Sequence, residues 1–199
     1  MGRKSIVKQR NTNPVKRDLY LSMLNEIFKK HGMKKYNMDT ISRELGLSKA
    51  TLYHYFSTKD EMVSGILRDI LLKLRDVEPI LLNESLDYVD RYYRAIQLVS
   101  ENISDISNLM LADLRDDYPL LWKDVQNFID YLSELLGNLY NKGKKAGAFN
   151  DINTSMLVLS DRLFFEAMTR VEFFDEHGLT LKQAFDNYFK MKSQGLLRR

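Results

Sequence analysis

Lys49, Ala50, Thr51, Tyr53 and His54 bring an ammonium, a hydroxyl, a phenol and an imidazole into one short segment. At about 100° per residue, Ala50, Thr51 and His54 share one side of a helix, with Tyr53 and Tyr55 on its flanks. Leu52 and Phe56, four apart, take the other side. Small residues permit close approach, hydroxyls and imidazole reach base edges, and lysine meets phosphate. The set suits a helix whose first turns enter the major groove of DNA. It does not suit catalysis. The chain has no cysteine, few glycines and three histidines (His31, His54, His177) far apart in sequence, so its motifs offer no thiol site, metal cluster or phosphate-cradling loop. Arg162 and Glu166, four apart, read as a surface ion pair rather than acid–base machinery. No catalytic residue, metal ligand or cofactor is expected.

The elements that must hold this segment are written around it. Asn37 can N-cap a helix in which Ile41 and Leu45 share a face, and Gly46 ends that helix at least conformational cost. Leu47 plugs the turn and Ser48 caps the second helix. This is a helix-turn-helix. Upstream, Tyr20, Leu24, Ile27 and Phe28 mark the buried stripe of a first helix over about 15–30, stopped by Gly32. Downstream, Thr58 and Glu61 form a capping box for a fourth helix running to about Val77, before Pro79.

The run Leu47-Ser48-Lys49-Ala50-Thr51-Leu52-Tyr53-His54-Tyr55-Phe56, followed by Lys59-Asp60-Glu61, resembles the signature of the tetracycline-repressor (TetR) family of bacterial regulators. The family pattern Gly-Val-Ser-x-x-Thr-Leu-Tyr-x-Tyr-Phe-x-x-Lys-Glu is matched with Leu47 for Val and Asp60 for Glu. The resemblance spans roughly residues 16–67, about a quarter of the chain. It implies an all-α protein with an N-terminal three-helix DNA-binding bundle, and double-stranded DNA as partner. The expected DNA contacts are Asn37, Ser48, Lys49, Ala50, Thr51, Tyr53, His54 and Tyr55, together with Lys59, to which the resemblance assigns a phosphate.

Charge supports the same polarity. Residues 1–60 hold 13 Lys and Arg against 5 Asp and Glu, while the remainder holds 17 against 22. A basic head on an acidic body presents one end to a polyanion. Residues 1–14 carry Arg3, Lys4, Lys8 and Arg10 without an acid or apolar periodicity, and are expected to be a disordered arm that aids binding electrostatically. The absence of cysteine fits a reducing compartment, and no apolar run approaches a membrane span or a secretory signal. A cytoplasmic protein without membrane contact is expected.

Beyond about residue 85 the chain reads as helices throughout, for about nine in all. The expected division is a DNA-binding domain over 1–60 and an effector-binding and dimerisation domain over 61–199. Two apolar helices near the C-terminus offer Phe164, Ala167, Met168 and Val171, then Leu181, Ala184, Phe185 and Tyr188. They resemble the family's four-helix homodimer interface. Tyr92, Tyr93, Met110, Trp122, Phe128, Tyr131, Phe164, Phe165 and Met168 include candidates for an effector cavity, but spacing singles out none of them. The implied function is that of a homodimeric repressor released from a pseudo-palindromic operator by a small apolar or amphipathic molecule. The alternative is a DNA-bound interaction protein of the same fold, whose body takes another protein instead.

Overall fold

The computed structural model describes residues 13–197, apart from the side chains of residues 173 and 175. The basic arm expected over 1–14 falls, but for Asn13 and Pro14, outside the described residues. Helix α1 (Pro14–His31) starts at Asn13, whose side chain accepts from the Lys16 amide at 3.3 Å, and stops at Gly32, where φ is 69°. Helices α2 (Met38–Glu44) and α3 (Lys49–Tyr55) cross it to close a small bundle. Its core joins Leu21, Leu24 and Phe28 to Ile41, Leu45, Leu52 and Phe56, all buried. Leu21, rather than the expected Tyr20, is the deep residue of its turn. It lies over Gly65 of the fourth helix, where an added Cβ would come within 2.9 Å of the Leu21 side chain. That glycine brings α1 and α4 close.

Helix α4 (Lys59–Arg75) is followed, after Asp76, by the short α5 (Val77–Leu81). Pro79 sits in the first turn of α5, where its missing N–H costs nothing, so it is held inside a helix rather than ending one. Then come α6 (Tyr88–Asn102), a 3-10 turn (Ile103–Asp105), α7 (Asn108–Asp117) and α8 (Pro119–Lys145). The last three are α9 (Thr154–Ala167), α10 (Val171–His177) and α11 (Leu181–Leu196). The apolar run over 156–174 is divided between two helices, with a break after Ala167. The Thr169 hydroxyl turns back to the Glu166 carbonyl at 2.9 Å, and Arg115 Nη1 donates to that hydroxyl at 3.1 Å. Counting α4 with α5 and α9 with α10 as interrupted runs, the described residues make nine helical runs and no named strand. Among the described residues no helix is long and apolar enough to cross a membrane.

One apolar core runs unbroken from the bundle through α4 into the body. Near its far end lies a buried polar knot. Asp161 of α9 and Lys192 of α11 are paired, their side chains 1% and 6% exposed. The Tyr140 and Tyr188 hydroxyls donate to the same carboxylate at 2.9 and 3.0 Å, and Lys192 Nζ also donates to the Leu157 carbonyl at 2.9 Å. Burial pushes the Asp161 carboxyl up and the Lys192 ammonium down, each in opposition to its partner's charge. The knot fixes α8, α9 and α11 in one register.

Replacing Lys192 with Met leaves a buried carboxylate without its cation. Lys192→Met is expected to cost about 3–5 kcal/mol in urea unfolding at neutral pH. The loss should shrink as the pH falls and Asp161 takes up a proton; a pH-independent loss would place the cost in packing instead.

Candidate nucleic-acid interface and body cavity

The helix-turn-helix is fixed by its own backbone bonds. The Asn37 side chain accepts from the Asp39 and Thr40 amides, both at 3.0 Å, and Thr40 Oγ1 accepts from the Asn37 amide at 2.8 Å, completing a capping box. Gly46 (φ 65°) turns the chain, with its amide on the Arg43 carbonyl at 3.1 Å and the Leu47 amide on the Ser42 carbonyl at 2.8 Å. Ser48 Oγ accepts from the Thr51 amide at 3.0 Å and lies 2.8 Å from the Thr51 hydroxyl. Leu52 and Phe56 point inward and are fully buried.

Ala50, Tyr53 and His54 are exposed on the outer face of α3, with Thr51 half-buried beside them. Tyr53 keeps 45% of its surface. The other expected DNA contacts carry prior commitments. Lys49 is exposed and pairs with Asp39 at 2.7 Å, a contact worth little in water and easily exchanged for a phosphate. Tyr55 stands edge-on to Tyr20, ring centroids 5.1 Å apart, so much of its role is to seat α3 on α1. The side-chain oxygens of Asn37 and Ser48 serve as caps. Lys59 is turned inward. Its ammonium donates to the Met33 carbonyl at 2.6 Å, and burial holds it below the usual range, with Asp113, Asp117 and Asp60 opposing the shift.

Lys59 belongs to a joint between bundle and body that the sequence does not announce. Beyond α1, the amides of Met33 and Lys34 both donate to Oδ2 of Asp113 on α7, at 2.5 and 3.2 Å. Lys34 Nζ adds an ion pair to Asp116 at 3.1 Å. Gly32 leaves the room: a Cβ there would stand 2.8 Å from the same carboxylate oxygen. Asp113 is 80 residues from Met33 in sequence, and no local pattern links the two.

Behind the joint the body is hollow. An apolar cavity of about 100 Å³ lies among α4, α6, α7 and α8, with Ile66, Ile70, Val99, Met110, Leu114 and Phe128 in its wall. The Met33 side chain reaches into it from the bundle. Of the aromatic and methionine candidates, Met110, Trp122, Phe128, Phe165 and Met168 line the cavity; Tyr92, Tyr93, Tyr131 and Phe164 do not. Among the described residues no group of three or more His, Asp or Glu is placed to hold a metal ion.

The C-terminal helices require a correction. Met168, Leu181, Ala184 and Phe185 were expected to face a partner, but the protomer buries them itself, Phe185 to 1% exposure. Phe164 and Tyr188 are half-buried and stack on each other, centroids 4.1 Å apart, while Val171 is half-buried and Ala167 exposed. The apolar surface left open on α9 is the stripe Met156, Leu159, Leu163 and Ala167, at helical spacing, and Met191 is exposed on α11.

Comparison with known proteins places this arrangement. Residues 21–66 match the family described as "Bacterial regulatory proteins, tetR family". The uncharacterized HTH-type transcriptional regulator YvaF of Bacillus subtilis (strain 168) is 24% identical over 124 residues, 62% of this chain. The match spans 65% of YvaF, just under two thirds of its length. The ketosteroid transcriptional regulator KstR2 of Mycobacterium tuberculosis superposes with a TM-score of 0.66 at 17% identity, covering 96% of this chain and 98% of that one. A protein from Saccharomonospora viridis, solved in complex with choline, superposes with a TM-score of 0.70 at 16% identity, covering 94% and 100%. These structures share the fold.

The two faces of α3 separate by stability. Leu52→Ala is expected to cost about 2–5 kcal/mol, as for a buried leucine. Tyr53→Ala and His54→Ala should stay within about 0.5 kcal/mol of the parent. Thermal and urea unfolding of the three variants checks this, and a large loss from Tyr53→Ala would invert the assignment of faces.

Proposed function

We propose, from the premise that the chain is a TetR-family transcriptional regulator, that it binds a pseudo-palindromic operator as a homodimer and represses until a small molecule enters its body. In this reading residues 1–60 serve DNA and residues 61–199 serve ligand and partner, with α4 common to both. Thr51, Tyr53 and His54 address base edges, Ala50 permits approach, and Lys49 trades Asp39 for phosphate. Ser48, Asn37 and Tyr55 hold the two helices in reading position and lie close enough to meet the backbone. Lys59 acts from its place at the joint, where its charge sits at the N-terminus of α4.

The observation that carries the effector half of the proposal is the cavity and its link to the bundle. Met33 contributes its side chain to the cavity wall, its amide to Asp113 and its carbonyl to Lys59. A molecule that displaces that wall must act on the loop leading into α2. Coupling of about 1–3 kcal/mol, or roughly 5- to 150-fold in operator affinity, is the usual scale for such linkage. The choline complex of the S. viridis protein supports the idea that a chain of this fold takes a small molecule. The alternative, a body that docks another protein, calls for a filled core and draws no support from a hollow one.

The homodimer reading rests on the open stripe of α9, which a two-fold axis would set against itself. A charge at Leu163, 55% exposed in the protomer, should then meet its own copy in an apolar setting. Leu163→Glu is expected to give folded monomers. On an operator selected from a random-sequence pool, affinity should drop by about 10²–10⁴, the gain that a linked second reader provides, while weak binding to unrelated DNA persists. Sedimentation and a binding titration on one sample decide it. A variant that stays dimeric moves the interface elsewhere, and a monomer with full operator affinity removes the two-half-site mechanism.

A further inference from the structure

The cavity has a polar neighbour across one wall. A cleft of about 540 Å³ opens between α7, α8 and the α9–α10 break, and Trp122, Ile129, Phe165 and Thr169 line both spaces. Chemistry changes across these four residues. On the inner side almost every lining group is a hydrocarbon or ring. On the outer side stand Arg115, Lys123, Arg162 and Arg170 against Asp130 and Glu166.

The cations are held in different ways. Arg115 donates through Nη1 to the Thr169 hydroxyl at 3.1 Å and through Nε to Asp116 at 3.0 Å, which fixes its plane against the shared wall. Arg162 is paired with Asp130 at 2.6 Å, so that carboxylate is already matched. A guanidinium carries five N–H donors, and neither arginine has spent all of them. Lys123 and Arg170 are exposed and make no ion pair among the described residues. With Asp130 matched to Arg162 and Asp116 paired with Arg115, the cleft retains Lys123 and Arg170 against the single carboxylate of Glu166.

We infer that the effector site takes an amphipathic anion, its apolar end in the cavity and its carboxylate or phosphate head among Arg115, Lys123, Arg162 and Arg170. The inference rests on the effector reading given above and names the ligand class. An ammonium head would enter a field of its own sign, and an uncharged head would leave the donors of the cleft with water. Planar, bidentate donation to an oxyanion is what arginine does best. Size follows from the inner space. At about 100 Å³ it is smaller than the roughly 150 Å³ cavity that admits benzene, so the buried end is a short chain or a compact branched group. Phe165 and Trp122, half-buried in the shared wall, are the side chains the ligand must pass or displace.

The test uses the full-length protein without DNA and four probes of one chain length: hexanoate, hexyl phosphate, hexanol and hexylamine. In calorimetric titration at least one of the anions is expected to bind about tenfold or more tightly than hexanol, with hexylamine weakest. The ratio between hexanoate and hexyl phosphate tells which head the cleft prefers. In the double variant Lys123→Ala/Arg170→Ala, whose sites are exposed and whose melting temperature serves as the folding control, that anion advantage should shrink to about twofold or less. Hexanol binding should be unchanged. Hexylamine binding as tightly as the anions, an anion advantage that survives the double variant, or no binding of either anion at millimolar concentration would each overturn the inference. Operator binding measured with the same probes separates the two readings. Anion binding without loss of operator affinity keeps the ligand class and removes effector release. Release by hexanol or hexylamine but not by the anions does the reverse.

Discussion

One carboxylate, that of Asp113, ties the loop after α1 to the body alongside the continuous apolar core. Asp113 accepts the amides of Met33 and Lys34, the first two donors after Gly32, and so gives a partner to the buried Met33 amide. Removing an acceptor of this kind costs more than forming it gained, because the donors stay desolvated. Around it the chain has made room and balance. Gly32 lacks the Cβ that would strike the carboxylate, Lys34 stands over Asp113 and Asp116, and Lys59 closes the loop from below through the Met33 carbonyl. The orientation of the helix-turn-helix relative to the body is therefore set by a few polar contacts rather than by the broad apolar seam alone.

That arrangement gives the cavity a short route to the DNA-reading face. Helix α7 presents Met110 and Leu114 to the cavity and Asp113 to the bundle. A rotation of α7 that accommodates a ligand has to shift the carboxylate. Hydrogen bonds to a charged group are worth about 1.5–3 kcal/mol each, the same scale as the coupling a regulator of this kind needs. At the far end the Asp161–Lys192 knot ties α8, α9 and α11 together.

The sequence carried the local half of this account and not the rest. Asn37, Gly46, Ser48 and Thr58 cap and turn through bonds spanning two to five residues, and such bonds leave a readable pattern. The outer face of α3 was legible for the same reason: Leu52 and Phe56 define the inside, and the remainder follows. Asp113 and Met33 lie 80 residues apart and Asp161 and Lys192 31 apart, and neither pair leaves a periodic trace. Helix α11 shows why apolar pattern alone does not locate an interface. Phe185 and Leu181 are as apolar as any contact residue, but spacing cannot say whether such a stripe faces its own protomer or another. The open stripe is marked by Met156, Leu159 and Leu163, whose apolar type alone does not tell an exposed position from a buried one.

Amide hydrogen exchange on Asp113→Ala tests the central claim most directly, since it reads the joint without requiring an operator or a ligand. If the carboxylate ties bundle to body, the variant should lose protection at Met33 and Lys34 and gain exchange across residues 38–56, while α8, α9 and α11 keep the protection of the parent. Protection of residues 38–56 unchanged from the parent, with Met33 and Lys34 freed, would contradict the account and show that the apolar seam of α1 and α4 suffices to hold the bundle.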